Sequence, residues 1–122
     1  MRLIIGGAGQ GKLSYALCTY NCTLADVTET FFAAQTGQVF DHFHAAIRAA
    51  LEAGKSPQRL TEELLEANPD VIILCDEVGC GVIPVQPEER VWRETVGRLC
   101  CDLAEQAESV ERVFCGLSMR LK

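Results

Sequence analysis

The residues best suited to chemistry stand near the start of the chain, in the stretch Gly6-Gly7-Ala8-Gly9-Gln10-Gly11-Lys12. Gly6 and Gly11 are five positions apart and Lys12 follows directly, which is the Gly-x-x-x-x-Gly-Lys spacing of a phosphate-binding loop. An apolar run, Leu3-Ile4-Ile5, precedes the loop, and helix-compatible residues follow it. In that context backbone N–H groups point at a phosphate, and a lysine ammonium reaches the outer phosphates. The pattern predicts binding of a nucleotide, GTP or ATP.

The position after the lysine departs from the motif. A phosphate-binding loop normally has Ser or Thr there, whose hydroxyl coordinates Mg²⁺, whereas this chain has Leu13 and offers Ser14 one residue later. One step along a helix rotates a side chain by about 100°. The backbone of Leu13 still belongs to the predicted phosphate cradle, and Ser14 is the remaining hydroxyl candidate for Mg²⁺. We therefore predict nucleotide binding more firmly than efficient phosphoryl transfer.

Length and composition set the class of protein. A chain of 122 residues with 48% hydrophobic residues predicts a single folded domain over residues 1–122. The net charge of −6 argues against a nucleic-acid partner. The chain contains no apolar run long enough to span a bilayer and no secretion signal, so we expect a cytoplasmic protein. Reduced thiols without a metal or redox role are expected for the seven cysteines: Cys18, Cys22, Cys75, Cys80, Cys100, Cys101 and Cys115. Cys18 and Cys22 are one helical turn apart, so they are the first pair to check for an exception.

Hydrophobic periodicity predicts strands that alternate with helices. The predicted strands are Arg2–Ile5, Val27–Phe31, Asp70–Cys75 and Arg112–Leu117, and the predicted helices are Lys12–Cys18, Phe40–Ala53, Pro57–Ala67 and Pro87–Glu108. The run Asp70–Cys75 is continuously apolar after its first residue, which is typical of a parallel strand buried on both faces. The pattern predicts a three-layer α/β domain with a mainly parallel sheet, of the P-loop NTPase-like (RecA-like) type.

Further polar groups follow or flank these elements. Asp76 and Glu77 come directly after the buried strand, at the sheet edge where the phosphate loop also lies, so they are candidates to hold Mg²⁺ or to accept a proton. His44 and Arg48 are four residues apart on one predicted helix, which places a nucleophilic imidazole and a phosphate-binding guanidinium on one face. Trp92 is expected in the core or in an oligomer contact.

Three segments together resemble a known family. They are Gly6-Gly7-Ala8-x-x-Gly11-Lys12, Glu77-Val78-Gly79-Cys80-Gly81-Val82-Ile83-Pro84, and Arg93-Glu94-x-x-Gly97-Arg98-Leu99. In these segments the chain is similar to the bifunctional adenosylcobinamide kinase/adenosylcobinamide-phosphate guanylyltransferase family of cobalamin synthesis. The resemblance implies phosphorylation of the aminopropanol hydroxyl of adenosylcobinamide, followed by GMP transfer from GTP through a guanylylated histidine, for which His44 with Arg48 is the candidate.

Two functions follow as expectations. The first is an enzyme in which Lys12 stabilises charge on the transferred group, Asp76 or Glu77 manages metal or proton, and His44 accepts GMP. The alternative is a catalytically degenerate nucleotide-binding module that acts through a partner or a homo-oligomer, which Leu13 favours. In both cases the expected ligands are a nucleotide and a corrinoid.

Overall fold

The computed structural model describes residues 1–79, 81 and 83–122. Cys80 and Val82, which belong to the predicted thiol set and to the family signature, lie outside the described residues. The strands are β1 (Arg2–Gly6), β2 (Val27–Thr28), β3 (Val39–Phe40), β4 (Ile72–Asp76), β5 (Ser109–Phe114) and β6 (Leu117–Arg120). The helices are α1 (Lys12–Thr19), α2 (Phe31–Ala34), α3 (Phe43–Glu52), α4 (Pro57–Ala67) and α5 (Pro87–Gln106). None of the described helices is long and apolar enough to cross a membrane.

The strands form one six-stranded sheet in the order β2-β3-β4-β1-β5-β6. Every neighbouring pair is parallel except β5 and β6, which pair antiparallel. The register places Gly6 opposite Asp76, so the start of the glycine loop and the end of β4 are adjacent. The prediction of a mainly parallel α/β sheet of the P-loop NTPase-like class is confirmed.

Helices cover the sheet on both faces. The apolar residues of β1 and β4 alternate between two cores: Leu3 and Ile73 pack with residues of α2, α3, α4 and α5, whereas Ile4 and Leu74 pack with α1. Leu3, Ile4, Ile73 and Leu74 are all essentially inaccessible to solvent. The expectation that the apolar run before Asp76 is buried on both faces is therefore confirmed, and β4 forms the centre of the sheet with β1.

The region before α3 differs from the prediction. Phe31, predicted to end a strand, begins the short helix α2, because the hydroxyl of Thr30 accepts a hydrogen bond from the Ala33 N–H and caps it. Phe40, predicted to begin a helix, belongs to β3, and α3 begins only at Phe43. His42 has φ = 55°, a left-handed conformation that separates β3 from α3.

Three aromatic rings explain why the spacing of Phe40 and Phe43 was misleading. Phe31, Phe40 and Phe43 pack edge to face, with ring centroids 5.3–5.7 Å apart. Their burial comes from three different elements rather than from one face of a helix. The same apolar spacing can therefore serve a strand and a helix that meet at one cluster.

The end of the chain forms a hairpin that was not predicted. Residues 112–117 were expected to be one strand, but β5 ends at Phe114 and β6 begins at Leu117. Cys115 and Gly116 connect them with φ = 52° and 75°. Two consecutive residues with positive φ are typical of a type I′ turn, the connection that matches the twist of paired strands.

The two described cysteines whose sulfur atoms are in contact are not Cys18 and Cys22. The Sγ atoms of Cys75 and Cys100 are 3.6 Å apart, joining the end of β4 to α5. Cys22 instead contacts the Tyr20 carbonyl and Gln38, and Cys18 is exposed. The six described cysteines are free thiols.

Candidate functional site

The phosphate loop takes its shape from three glycines and from the hairpin turn beside it. A Cβ on Gly6 would clash with the carbonyl oxygen of Val113, and a Cβ on Gly11, whose φ is 92°, would approach the Gly116 Cα at 3.3 Å. Gly9 also has positive φ, at 70°. Only glycine adopts such conformations without cost. The sequence motif therefore requires glycine at these positions for backbone reasons that can be read in the structure.

Gln10 connects the loop to the β5–β6 turn. Its backbone carbonyl accepts a hydrogen bond from the Gly116 N–H at 2.8 Å, and its Oε1 accepts one from the Cys115 N–H, also at 2.8 Å. Gln10 therefore fixes the loop to the turn, although the sequence predicted no role for its side chain. The last two strands hold the loop in place.

Lys12 is the central charge of the site. Its side chain is only 8% exposed, and its Nζ lies 2.7 Å from Asp76 Oδ1 and donates to the Gly7 carbonyl at 2.8 Å. A buried ammonium is stabilised only by such partners, because removing it from water is costly. The structure therefore brings together two predicted site residues, Lys12 at the start of α1 and Asp76 at the end of β4.

His44 completes a contact series with Asp76. The backbone N–H of Asp76 donates to His44 Nδ1 at 3.2 Å, and His44 Nε2 lies 3.4 Å from Asp76 Oδ2. A carboxylate only accepts hydrogen bonds, so in the neutral ring Nε2 carries the proton and the Nδ1 lone pair points at the Asp76 N–H. Neither ring nitrogen then has a free lone pair for attack on phosphorus.

The charge state of His44 follows from its surroundings. Burial lowers the pKa of His44 because the imidazolium loses hydration, and the charges of His42 and Lys12 act in the same direction. Asp76 and Asp41 oppose this shift without reversing it. His44 is therefore neutral at pH 7 and acts as a hydrogen-bonding group beside the carboxylate.

Glu77 lies at the same sheet edge but is engaged elsewhere. Its two carboxylate oxygens accept from the Arg112 guanidinium at 2.7 and 3.0 Å, in a bidentate pair. Its backbone N–H donates to the Gly6 carbonyl at 3.0 Å. Glu77 thus fixes β4 against β1 and β5, and the structure separates its side-chain contacts from those of Asp76, which the sequence could not do.

The Arg48 side chain contacts residues of α5. Its guanidinium forms a bidentate pair with Glu89 at 2.7 and 3.2 Å and lies over the Trp92 ring at 3.8 Å from the centroid. The Trp92 indole N–H in turn donates to the His44 carbonyl at 2.7 Å. His44 and Arg48 share a helix, as predicted, but their side chains reach different neighbours.

The residues after Lys12 take different roles. Leu13 packs partly into the apolar cluster between α1 and the sheet, so its side chain serves the core. The Ser14 side chain is exposed to solvent. Ser14 remains a prediction as a metal ligand, and Asp76 is the predicted metal ligand that the structure places next to Lys12.

The sequence analysis missed two acidic residues at this edge of the sheet, Asp41 and Glu29, which contact His42 there. Asp41 follows β3 and is buried, and its Oδ1 accepts from the His42 N–H at 2.8 Å. His42 Nδ1 lies 2.8 Å from Glu29 Oε1 and 3.4 Å from Asp41 Oδ2. Asp41 could have been found by the same argument that found Asp76, had the short strand Val39–Phe40 been recognised. Glu29 carried no sequence signal, because it meets His42 only through the fold.

The glycine loop, Lys12, Asp76 and His44 together could bind a phosphate group and hold it in a fixed position. Loop amides and the Lys12 ammonium supply positive charge at the end of β1. Asp76 supplies a carboxylate that bridges Lys12 and His44, and this carboxylate can share a metal ion or accept a proton. These are the groups needed for nucleotide-dependent transfer, collected from three elements.

A comparison with known protein families finds a match to this chain. The family model described as cobinamide kinase / cobinamide phosphate guanyltransferase matches residues 42–121, about two thirds of the chain. The matched part includes His44, Asp76, Glu77 and α5 and begins after the phosphate loop. Among curated proteins the search found no match.

Proposed function

Because the chain belongs to the cobinamide kinase / cobinamide phosphate guanyltransferase family, we propose that it binds the phosphates of ATP or GTP at Gly6–Lys12 and transfers a phosphoryl group to adenosylcobinamide. One observation carries this proposal. The buried Lys12 ammonium lies between Asp76 and the Gly7 carbonyl, in a glycine loop whose spacing is that of phosphate-binding loops. At family level the function is nucleotide-dependent transfer in cobalamin biosynthesis.

The roles of the residues follow from their contacts. Lys12 neutralises the transferred group, and Asp76 accepts the proton of the acceptor hydroxyl or holds Mg²⁺ beside the phosphates. His44 positions Asp76 through its two ring nitrogens. Since Ser14 is exposed, the metal would rely on Asp76 and the nucleotide, so we expect nucleotide binding to persist when Mg²⁺ is chelated.

Guanylyl transfer is the second candidate, and the family match supports it. His44 is our proposed acceptor of the guanylyl group. The Nδ1 lone pair of His44 faces the Asp76 N–H, so attack on GTP requires the ring to turn away from Asp76. Homo-oligomerisation, in which a second copy supplies further groups, belongs to the same proposal.

Substitution of Lys12 tests the phosphate site. Calorimetry with ATP and with GTP should show that Lys12→Ala weakens binding about tenfold to a hundredfold, because a hydrogen bond to a charged group contributes roughly 1.5–3 kcal/mol. Lys122→Ala removes the same charge from an exposed position and should bind as the unmodified chain does. Equal affinity in both variants would refute phosphate binding by Lys12.

Labelled nucleotides then separate the activities. Transfer of γ-labelled phosphate to adenosylcobinamide supports the kinase, and a covalent label from α-labelled GTP that is lost in His44→Gln supports guanylyl transfer. Tight nucleotide binding with neither product would select the degenerate binding module.

A further inference from the structure

A groove lies along α3, next to the cluster of Glu29, Asp41 and His42. Its volume is about 610 Å³, and α2 and α4 form its walls. The floor consists of small residues on one side of α3: Ala45, Ala46, Ala49, Ala50 and Ala53. His42 lines the groove where α3 begins, and Lys55 lines it beyond the end of α3. The groove therefore has an apolar middle and one imidazole at the end that faces the carboxyl edge of the sheet.

His42 is prepared for metal ligation. Its Nδ1 contacts the Glu29 and Asp41 carboxylates, and since these only accept, Nδ1 carries the proton. The Nε2 lone pair of the neutral ring then has no hydrogen-bond partner among the described residues. A histidine that donates one ring N–H to a carboxylate while its other nitrogen is free has the arrangement of metal-ligating histidines, because the carboxylate fixes the tautomer and raises ligand basicity.

Contacts join this end of the groove to the phosphate loop. The rings of His42 and His44 have centroids 5.7 Å apart. His44 Nε2 is 3.4 Å from Asp76, and Asp76 is 2.7 Å from Lys12 Nζ. A molecule bound in the groove at His42 is therefore separated only by His44 from Asp76 and Lys12, the groups proposed to act on its hydroxyl.

Cobinamide has matching chemistry. It is a flat corrin with an apolar, methyl-bearing edge and a central cobalt, and its aminopropanol arm hangs from the lower face of the ring. The base that occupies the lower axial position of cobalt in the finished cofactor has not yet been attached, so a weakly held water takes that position. An imidazole can replace this water, and soft or borderline metals accept it readily.

We propose that the groove binds the corrin of cobinamide and that His42 Nε2 takes the lower axial position of its cobalt, with Glu29 and Asp41 positioning the ring. One Co–N bond forms, one Co–OH₂ bond breaks, and no electron is transferred. The aminopropanol arm lies on the same face as the new bond, so it extends from His42 towards His44 and Asp76. This assignment rests on the proposed function for its substrate and adds where and how that substrate is held.

Spectroscopy of the bound corrinoid tests the axial bond without any need for turnover. Electron paramagnetic resonance of cob(II)inamide mixed with the full chain should show splitting by one nitrogen, and aquacobinamide should change its visible spectrum in a saturable way. The chain has only two histidines. The nitrogen signal should vanish in His42→Gly and persist in His44→Gln. Glu29→Gln should weaken the spectral change about tenfold, as expected for the loss of a carboxylate that supports a metal ligand.

The choice of glycine keeps the test interpretable. His42 has φ = 55°, a conformation that glycine adopts without strain, so His42→Gly should fold. Free imidazole added to His42→Gly should restore the spectrum. A groove variant, Ala49→Phe, should weaken corrinoid binding measured by equilibrium dialysis, whereas Ala25→Phe, an exposed position outside the groove, should not.

The possible failures are distinct. Absence of the nitrogen signal in the unmodified chain, or its persistence in His42→Gly, overturns the axial assignment. Equal corrinoid binding in Ala49→Phe and Ala25→Phe overturns the groove. Lys12→Ala should keep the spectral change in full, because Lys12 does not line the groove. If the unmodified chain shows the spectral change but binds no nucleotide, the proposed transfer function is refuted and the corrinoid site is not.

Discussion

At the scale of single residues, the site is a set of charges that offset one another. Lys12 is buried, and its ammonium depends on Asp76 and the Gly7 carbonyl for the hydrogen bonds that water would otherwise supply. Asp76 in turn contacts both Lys12 and His44. A phosphate that enters the loop brings a second negative charge next to Lys12, so it shares the Lys12 ammonium with the Asp76 carboxylate.

The lowered pKa of His44 predicts how stability depends on pH. Because the folded pKa lies below 6.5, the unfolded chain binds the proton more readily between the two values. The contribution of His44 to the free energy of unfolding is therefore fully present above about pH 6.5 and is lost as the pH falls below it. Urea unfolding between about pH 5 and pH 8 should show this fall, and His44→Gln should reduce it.

The second histidine provides the control for that experiment. His42→Gln leaves the buried ring of His44 in place, so the dependence on pH should remain. If both substitutions reduce the slope equally, the burial of His44 is not its cause.

At the scale of elements, the β5–β6 hairpin supports the phosphate loop. Gln10 accepts hydrogen bonds from both turn residues, Cys115 and Gly116, and Gly11 packs against Gly116. The α5 helix contributes differently, since Trp92 on this helix holds the His44 carbonyl. The hairpin and α5 thus set the position of the two parts of the site, the phosphate loop and His44.

Two glycines on these elements should respond oppositely to alanine. Gly116 has φ = 75°, so Gly116→Ala should destabilise the chain by about 1 kcal/mol, the cost of a left-handed alanine. Gly97 lies inside α5 with open space at its Cβ position, so Gly97→Ala should stabilise by roughly 0.5–1 kcal/mol. Chemical denaturation measures both values. Changes of the same sign would contradict the turn assignment.

At the scale of the whole molecule, helices cover both faces of the sheet, and β4 is one of its central strands. Cys75 on β4 is fully buried, and its sulfur contacts Cys100 of α5. The hydrogen bond with Cys100 and burial both raise the pKa of the Cys75 thiol. The thiolate is the reactive form of cysteine, so Cys75 is protected by its protonation state as well as by the core.

Labelling of Cys75 should therefore report global unfolding. With iodoacetamide under native conditions, Cys75 should react at least about a thousandfold more slowly than the exposed Cys115, in line with the small unfolded fraction of an ordinary domain. Peptide mass spectrometry measures both rates. Adding urea should accelerate Cys75 and leave Cys115 nearly unchanged, whereas comparable native rates would mean that β4 and α5 separate locally.

Much of the molecule could be predicted from sequence because the signals were local. The helix Pro57–Ala67 was predicted with its observed bounds, since proline stands at its first position and Asn68-Pro69 stops it. The buried strand before Asp76 and the glycine loop were also predicted, because an apolar run and fixed glycine spacing are properties of consecutive residues. The strand predicted at Val27–Phe31 is shorter in the structure, where β2 ends at Thr28, and the two-residue strand β3 is too short to show a period, so the sequence offered no signal for it.

The sequence by itself determined the loop, the central strand and the family, because each depends on residues that are near one another in the chain. Only the tertiary structure decided which acids and bases meet. It joined Lys12 to Asp76, turned Arg48 to Glu89, and brought Glu29 to His42 across the edge of the sheet. Such pairings depend on strand order and on the left-handed turn at His42, and neither property is encoded in the spacing of the residues that make contact.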